Sequence, residues 1–365
     1  MSVLFSAGAI GSLSLPNRLV RSATAERMAD EHGYPRQQLH ELYTQLSEGE
    51  VGLIITGHMY VHPSGKAHPE MTGIYEDAQI PALAALVGAV HDHGGLIAAQ
   101  INHGGMQSDL EAVPDALAPS AIKTDFNDRT AREITLAEID LIIDAYGQAA
   151  RRAQAAGFDG VQIHAAHGYL VSEFLSPLTN RRADQWGGDI AGRMQFLRAV
   201  TAAVRAQVGP DYPVLIKLGM MDGVLGGLTL AEGVQVVSEL ADMGIDGVEL
   251  SGGIGGKLLV NVKKGVRSTA EEAYFIEFAR QARPVTALPL LLVGGFRSRS
   301  VMEAALTSGD VDFISMCRPL INEPHFPRLL RLGELEQSGC ISSNNCWAEE
   351  SGVGIGCKCP LEKLA

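Results

Sequence analysis

The feature that most constrains the fold of this chain is a unit that occurs twice in nearly the same form. Thr135-Leu-Ala-Glu138 reads as a capping box, in which the Thr hydroxyl and the Glu carboxylate satisfy free amides at a helix start. An amphipathic run extends to Ala156, and Gly157-Phe-Asp-Gly-Val-Gln-Ile-His164 follows. Thr229-Leu-Ala-Glu232 opens a second helix, expected to end at Gly244 ahead of Ile-Asp-Gly-Val-Glu-Leu-Ser251. Looser copies occupy Gly49 to Gly57 and Gly309 to Met316. In each, a helix stops at glycine, a polar turn follows, and a short apolar strand suited to burial on both faces runs into glycine or polar residues.

Apolar runs of this kind place strands near 19–24, 52–57, 96–101, 160–165, 214–219, 247–252, 288–295 and 312–318. Most gaps between them hold a helical stretch, and eight parallel strands with crossover helices close most naturally into a (β/α)8 TIM barrel. An open doubly wound sheet is the second choice, because no Gly-x-Gly-x-x-Gly follows the first strand. The expected organisation is a barrel over residues 1–335 with an N-terminal hairpin. Residues 336–365 form a short cysteine-containing tail of the same domain.

Composition limits the partners. A net charge of -13 argues against nucleic acid, since that affinity comes mainly from Lys and Arg neutralising phosphates. Met1 to Ile10 lacks a basic leader, and no uncharged apolar run reaches about 18 residues, so neither export nor membrane spanning is expected. Of the 5 cysteines, Cys317 stands alone and the rest crowd between Cys340 and Cys359, a pattern that fits a reducing cytoplasm better than a disulfide framework. Whether the chain forms a homo-oligomer is left open.

Chemistry in a barrel sits at the carboxyl ends of the strands. Gln100, His164, His167, Lys217, Ser251, Gly294 and Arg318 fall there. Two imidazoles and a phenol within six residues, His164, His167 and Tyr169, mark an active-site rim. A His-x-x-His metal site is disfavoured because no third ligand has fitting spacing, so no metal is expected; buried structural histidines are the other alternative.

The run from His164 to Arg193 resembles the signature of the old yellow enzyme family of FMN-dependent ene reductases. Pro16-Asn17-Arg18 before the first strand, Gln100-x-x-His103-x-Gly105 after the third and Arg318-Pro319 after the eighth match in order, so the resemblance covers essentially the whole chain. It implies FMN as cofactor, NADH or NADPH as hydride donor and an activated alkene such as an enone as the small-molecule substrate. It places Gln100 and Lys217 at the flavin pyrimidine edge. Arg is the more usual residue at the second position, and Lys217 keeps the charge but loses the bidentate fork. A lysine merely paired to some carboxylate is the bland alternative there.

The resemblance also puts Ser22, Ala23, Thr24 and Gly57 along the flavin, and Gly294, Gly295, Cys317 and Arg318 around its phosphate. Cys317 stands where the family has Gly, and Ala25 where it usually offers a Thr or Cys to flavin O4. His164 and His167 are implied to hold the substrate oxygen, with Tyr169 as proton donor to the α-carbon. The polar stretch from Asn180 to Arg193 reads as scaffold.

Longer relatives bind an iron-sulfur cluster through a Cys-x-x-Cys-x-x-x-Cys motif. Here Ser343 takes the second position and Cys346 falls one residue short, so Cys340, Cys346, Cys357 and Cys359 are expected to be free thiols, and the electron-transfer domains of those relatives are not expected. Three rival functions are an amine dehydrogenase or demethylase on the same scaffold, a ligand-binding barrel without turnover, and a flavin-free phosphate-binding lyase or isomerase using Lys217 as a Schiff base.

Overall fold

Strict alternation along short strands decides the architecture, which we describe from a computed structural model covering residues 2–123, 130–255 and 261–347. Eight parallel strands, β1 (Leu19–Arg21), β2 (Leu53–Ile55), β3 (Ile97–Asn102), β4 (Gly160–Ala165), β5 (Val214–Gly219), β6 (Gly247–Ser251), β7 (Leu290–Leu292) and β8 (Phe313–Met316), pair in sequence order. The ring closes where β8 pairs with β1, Ile314 opposite Leu19, and it is continuous between β3 and β4, Ala98 opposite Gly160. A closed ring rules out the open-sheet alternative. Each strand is followed by a helix: α1 (Gln37–Glu48), α2 (Ile80–His91), α3 (Leu136–Ala155), α4 (Gln195–Val208), α5 (Leu230–Glu239), α6 (Ile276–Ala282), α7 (Arg299–Thr307) and α8 (Phe326–Leu332).

One residue in two points outward to the helices: Leu19, Ile54, Ile97, Ile163, Ile216, Val248, Leu290 and Ile314 belong to the main core. Their neighbours point inward, and here the barrel divides into two storeys. The lower one is apolar, built from Val20, Leu53, Ile55, Ala98, Leu215, Leu291 and Phe313. An antiparallel hairpin, Gly8–Ile10 with Leu13–Leu15, plugs it from below with Ile10 and Leu15. The upper storey is polar, with Gln100, Gln162, His164, Lys217, Glu249, Ser251 and Ser315 all buried. Hydrophobic burial therefore fixes the barrel from beneath and leaves its carboxyl-end mouth free for chemistry.

Both expected capping boxes form, Thr135 with Glu138 and Thr229 with Glu232. Replacing Thr135 with Ala is expected to lower stability by about 1 kcal/mol, read as a shift in the urea unfolding midpoint, because it strips the hydroxyl acceptor from the Glu138 amide. Several boundaries fall short of expectation, the first strand ending at Arg21 rather than at 24 and the eighth at Met316 rather than at 318, and two have a plain cause. The helix projected to Gly244 stops at Glu239, and a turn carries the chain to Gly244, whose φ of 88° makes the reversal. The seventh strand covers only Leu290–Leu292, because Gly294 and Gly295 adopt φ of 151° and 78° and turn the backbone into the mouth.

The long segment after β3 builds a small sheet of its own from Leu117–Ala118, Ile122–Lys123 and Thr130–Glu133. The described part of the C-terminal tail lies against the barrel: Ser338 and Ser342 carbonyls accept from Arg297 and from the Gly265 amide, and Asn344 accepts from Arg318. Cys340 and Cys346 are buried, while Cys357, Cys359 and Lys257 lie outside the described residues. Among the described residues no helix is long and apolar enough to cross a membrane.

Candidate active site

The mouth of the barrel holds a cleft open to solvent, with about 970 Å³ of empty space counting the solvent at its opening. Of the thirteen residues given catalytic or cofactor roles from the sequence, ten line it: Ala23, Thr24, Gln100, His164, His167, Tyr169, Lys217, Gly295, Cys317 and Arg318. Three others are set back from the wall. Ser22 reaches the site through Lys217, whose Nζ donates to its Oγ at 2.7 Å. Gly294 stands behind Gly295, its carbonyl accepting from the Tyr274 amide. Gly57 serves a different need: its N–H donates to Glu26 Oε1 at 2.9 Å, and a Cβ there would fall 1.8 Å from the other oxygen of that carboxylate. It supports the buried Arg21–Glu26 pair rather than the cleft.

The imidazoles and the phenol are brought together by backbone geometry. β4 ends at Ala165, after which His167 and Gly168 take φ of 64° and 74°. Positive φ is costly for His, and the turn is held by two donors to the His167 carbonyl, Gln107 Nε2 at 2.7 Å and the Gly255 amide at 3.1 Å. As a result the His164 ring stands 5.4 Å from that of His167 and 4.9 Å from that of Tyr169. His167 Nε2 lies 2.7 Å from Ser251 Oγ, whereas His164 Nδ1 is buried without a hydrogen-bond partner.

Burial, reinforced at the two imidazoles by neighbouring charge, sets protonation in the mouth. Burial, then the charges of His167, His58 and Lys217, hold His164 well below the ordinary imidazole range. Burial, Lys217 and His58 push His167 down to about 3. Burial raises the Tyr169 phenol to about 12, against a small opposing effect of Arg27. At neutral pH the site therefore presents two uncharged imidazoles and an intact phenol.

Several wall residues escaped the sequence reading. The His58 ring lies tilted against that of Tyr169, centroids 4.9 Å apart, and is fixed through Nδ1 by Asn102 at 2.8 Å; its only sequence signal is its place just after β2. Asn261, Val262, Tyr274 and Ser315 were likewise missed and line the cleft, as do Ala25, which the resemblance aligned with the flavin O4 contact, and Phe296. The Thr24 hydroxyl contacts the Cys317 sulfur and the Ser22 carbonyl, both at 3.2 Å, and the Cys317 thiol in turn faces the Ser22 and Ala23 carbonyls at 3.6 Å. The thiol thus ties β8 to the segment after β1. Lys217 answers both descriptions given to it, since it lines the cleft and pairs with Glu249 at 3.4 Å.

The donor set fits a flavin mononucleotide. Gln100 and Lys217 supply donors for a pyrimidine edge, Gly295 and Arg318 stand where a phosphate needs open backbone and counter-charge, and Ser315 Oγ and His164 Nδ1 are buried polar atoms without protein partners. Fold and site together define a closed (β/α)8 barrel whose polar mouth suits FMN.

The chain belongs to the NADH:flavin oxidoreductase / NADH oxidase family, whose family model matches residues 3–336. It is 34% identical to an NADH oxidase of Thermoanaerobacter brockii over 99% of this chain and 56% of that protein. It is 35% identical to an NADPH dehydrogenase of Geobacillus thermodenitrificans over 89% of this chain and 93% of that one. An old yellow enzyme homologue from Zymomonas mobilis superposes with a TM-score of 0.79 at 29% identity, over 93% of this chain and 95% of that chain. The chain thus spans about half the length of some relatives and nearly all of others.

Proposed function

We propose that this protein takes hydride from NADH or NADPH and delivers it, through FMN, to the activated C=C bond of an α,β-unsaturated carbonyl compound. The observation that carries the reading is the meeting of two neutral imidazoles and a protonated phenol on one wall of the cleft. FMN, when bound, supplies the two-electron carrier that both partners share in turn.

The residues of the chain do the rest. Gln100 and Lys217 hold the pyrimidine edge of the cofactor, and Arg318 with the Gly295 backbone holds its phosphate. His164 and His167 donate N–H groups to the substrate oxygen, polarising the carbonyl and stabilising the negative charge that gathers there as the β-carbon is reduced. Ser251, at 2.7 Å from His167 Nε2, orients that ring, and the neutral state of both imidazoles keeps them donors without adding a cation to the mouth. Tyr169 gives its proton to the α-carbon.

A visible spectrum, anaerobic titration with each nucleotide and then addition of 2-cyclohexenone tests the proposal. A yellow protein that bleaches and regains its colour with the enone is expected, whereas bleaching without recovery would overturn the alkene assignment. The pH dependence follows from the protonation states. His167 gains a proton only as pH falls through about 3, and Tyr169 loses one only as pH rises through about 12. Alkene reduction, followed by stopped flow, is therefore expected to be flat from about pH 5 to pH 10, with no limb near the ordinary histidine value of about 6.5.

A further inference from the structure

The two copies of the repeated unit differ at two inward positions, His164 against Ser251 and, one layer deeper, Gln162 against Glu249: Gly160-Val-Gln162 in β4 corresponds to Gly247-Val-Glu249 in β6. The carboxylate of Glu249 is fully buried, and it stands opposite Lys217 in the strand register. Its Oε2 lies 3.4 Å from Lys217 Nζ and accepts from Gln162 Nε2 at 3.1 Å, while Oε1 is buried without a partner. Gln162 Oε1 in turn accepts from Gln100 Nε2 at 2.7 Å.

Direction is built into this chain of contacts. An ionised carboxylate only accepts hydrogen bonds, so Gln162 must present its amide nitrogen to Glu249 and its oxygen to Gln100. Gln100 is then left with Oε1 and one N–H for the cleft. The same carboxylate sets the charge, because an ammonium beside a buried anion acts on a neighbouring ligand far more weakly than a lone cation does.

We propose that Glu249 is a positioning residue that governs the flavin pyrimidine site twice over, by neutralising Lys217 and by fixing, through Gln162, which way the Gln100 amide faces. The inference rests on the reading that Gln100 and Lys217 meet that edge of FMN. Its consequence is electronic. A flavin gains negative charge near N1 and O2 on reduction, so a compensated Lys217 favours the reduced form less than an uncompensated one, and the cofactor is kept a readier hydride donor.

The test uses purified flavoprotein and reads no turnover. In Glu249→Gln the two-electron reduction equilibrium of bound FMN is expected to shift about tenfold toward the reduced form, about 30 mV upward. Sulfite reports the same field, since its lone pair forms a bond to N5 and its two electrons reduce the ring; its dissociation constant is expected to fall about tenfold alongside. A yellow Glu249→Gln protein with the parent's potential and sulfite affinity overturns the proposal. Should that variant not accumulate as a flavoprotein, Glu249→Asp decides: drawing the carboxylate back from Lys217 is expected to shift the same equilibrium in the same direction by about threefold. An Asp variant indistinguishable from the parent then overturns it. A colourless parent protein, by contrast, sinks the flavin reading itself.

Discussion

Replacing His164 with Ala is expected to lower the rate of enone reduction by about 10²–10³, while the protein stays yellow and its reduction by the nucleotide is unchanged. The size follows from what the ring does and does not hold. Its Nδ1 has no protein partner, so the alanine variant leaves no polar group stranded there and the barrel keeps its apolar lower storey intact. What disappears, on the proposed reading, is one of two donors offered to the substrate oxygen, from a buried ring where a preorganised N–H is worth far more than in water. His167 remains, held to Ser251, which is why the loss is partial. Rapid-mixing of the reduced variant with 2-cyclohexenone gives the rate directly, and a rate equal to the parent's would remove His164 from the oxygen site. The Zymomonas mobilis homologue and this chain share the barrel, but the outcome depends on this chain's own ring geometry.

The fold was legible because its signals are local. Capping boxes, helix-ending glycines and short apolar runs each have a physical cause within a few residues, and eight of them in series leave few ways to close a sheet. His164, His167 and Tyr169 were legible for the same reason, being close in sequence. Lys217 stood out as a charge interrupting the apolar Val214-Leu-Ile run. Gln162 and Glu249 carry the identical signal, polar residues in Val-Gln-Ile and Val-Glu-Leu, and were passed over as strand interior. The alternation that sends them inward is visible only when the lower storey is seen to be filled by its neighbours.

Other residues were beyond the reach of pattern. His58 comes to Tyr169 because β2 lies beside β3, which in turn lies beside β4, a tertiary fact with no local mark. Asn261 and Tyr274 enter the wall from the loops after β6, whose paths depend on contacts such as Arg318 with the Lys263 carbonyl at 2.9 Å. Gly57 ends a strand run at the right height, but its visible contacts are with the Glu26 carboxylate, which no local pattern announces.

The second large effect concerns the proton. Tyr169→Phe keeps a ring of nearly the same shape against His58 and His164 and removes only the hydroxyl, so folding, flavin content and nucleotide oxidation are expected to persist. Protonation of the α-carbon is expected to slow by about 10²–10⁴, the usual worth of a positioned acid. Burial holds the phenol at about 12, which keeps the proton in place throughout the physiological range and makes the residue an acid rather than a base. Position supplies a readout that rate alone does not. In D2O, a 2-substituted enone reduced by the parent should carry deuterium on one face of the α-carbon, delivered from the Tyr169 side. In the Phe variant the deuteron comes from solvent, and the two faces should be labelled without preference. A Phe variant that retains both the rate and the single-face label would mean that the proton reaches carbon by another path, and His58, next to the same ring, is the group to replace in its turn.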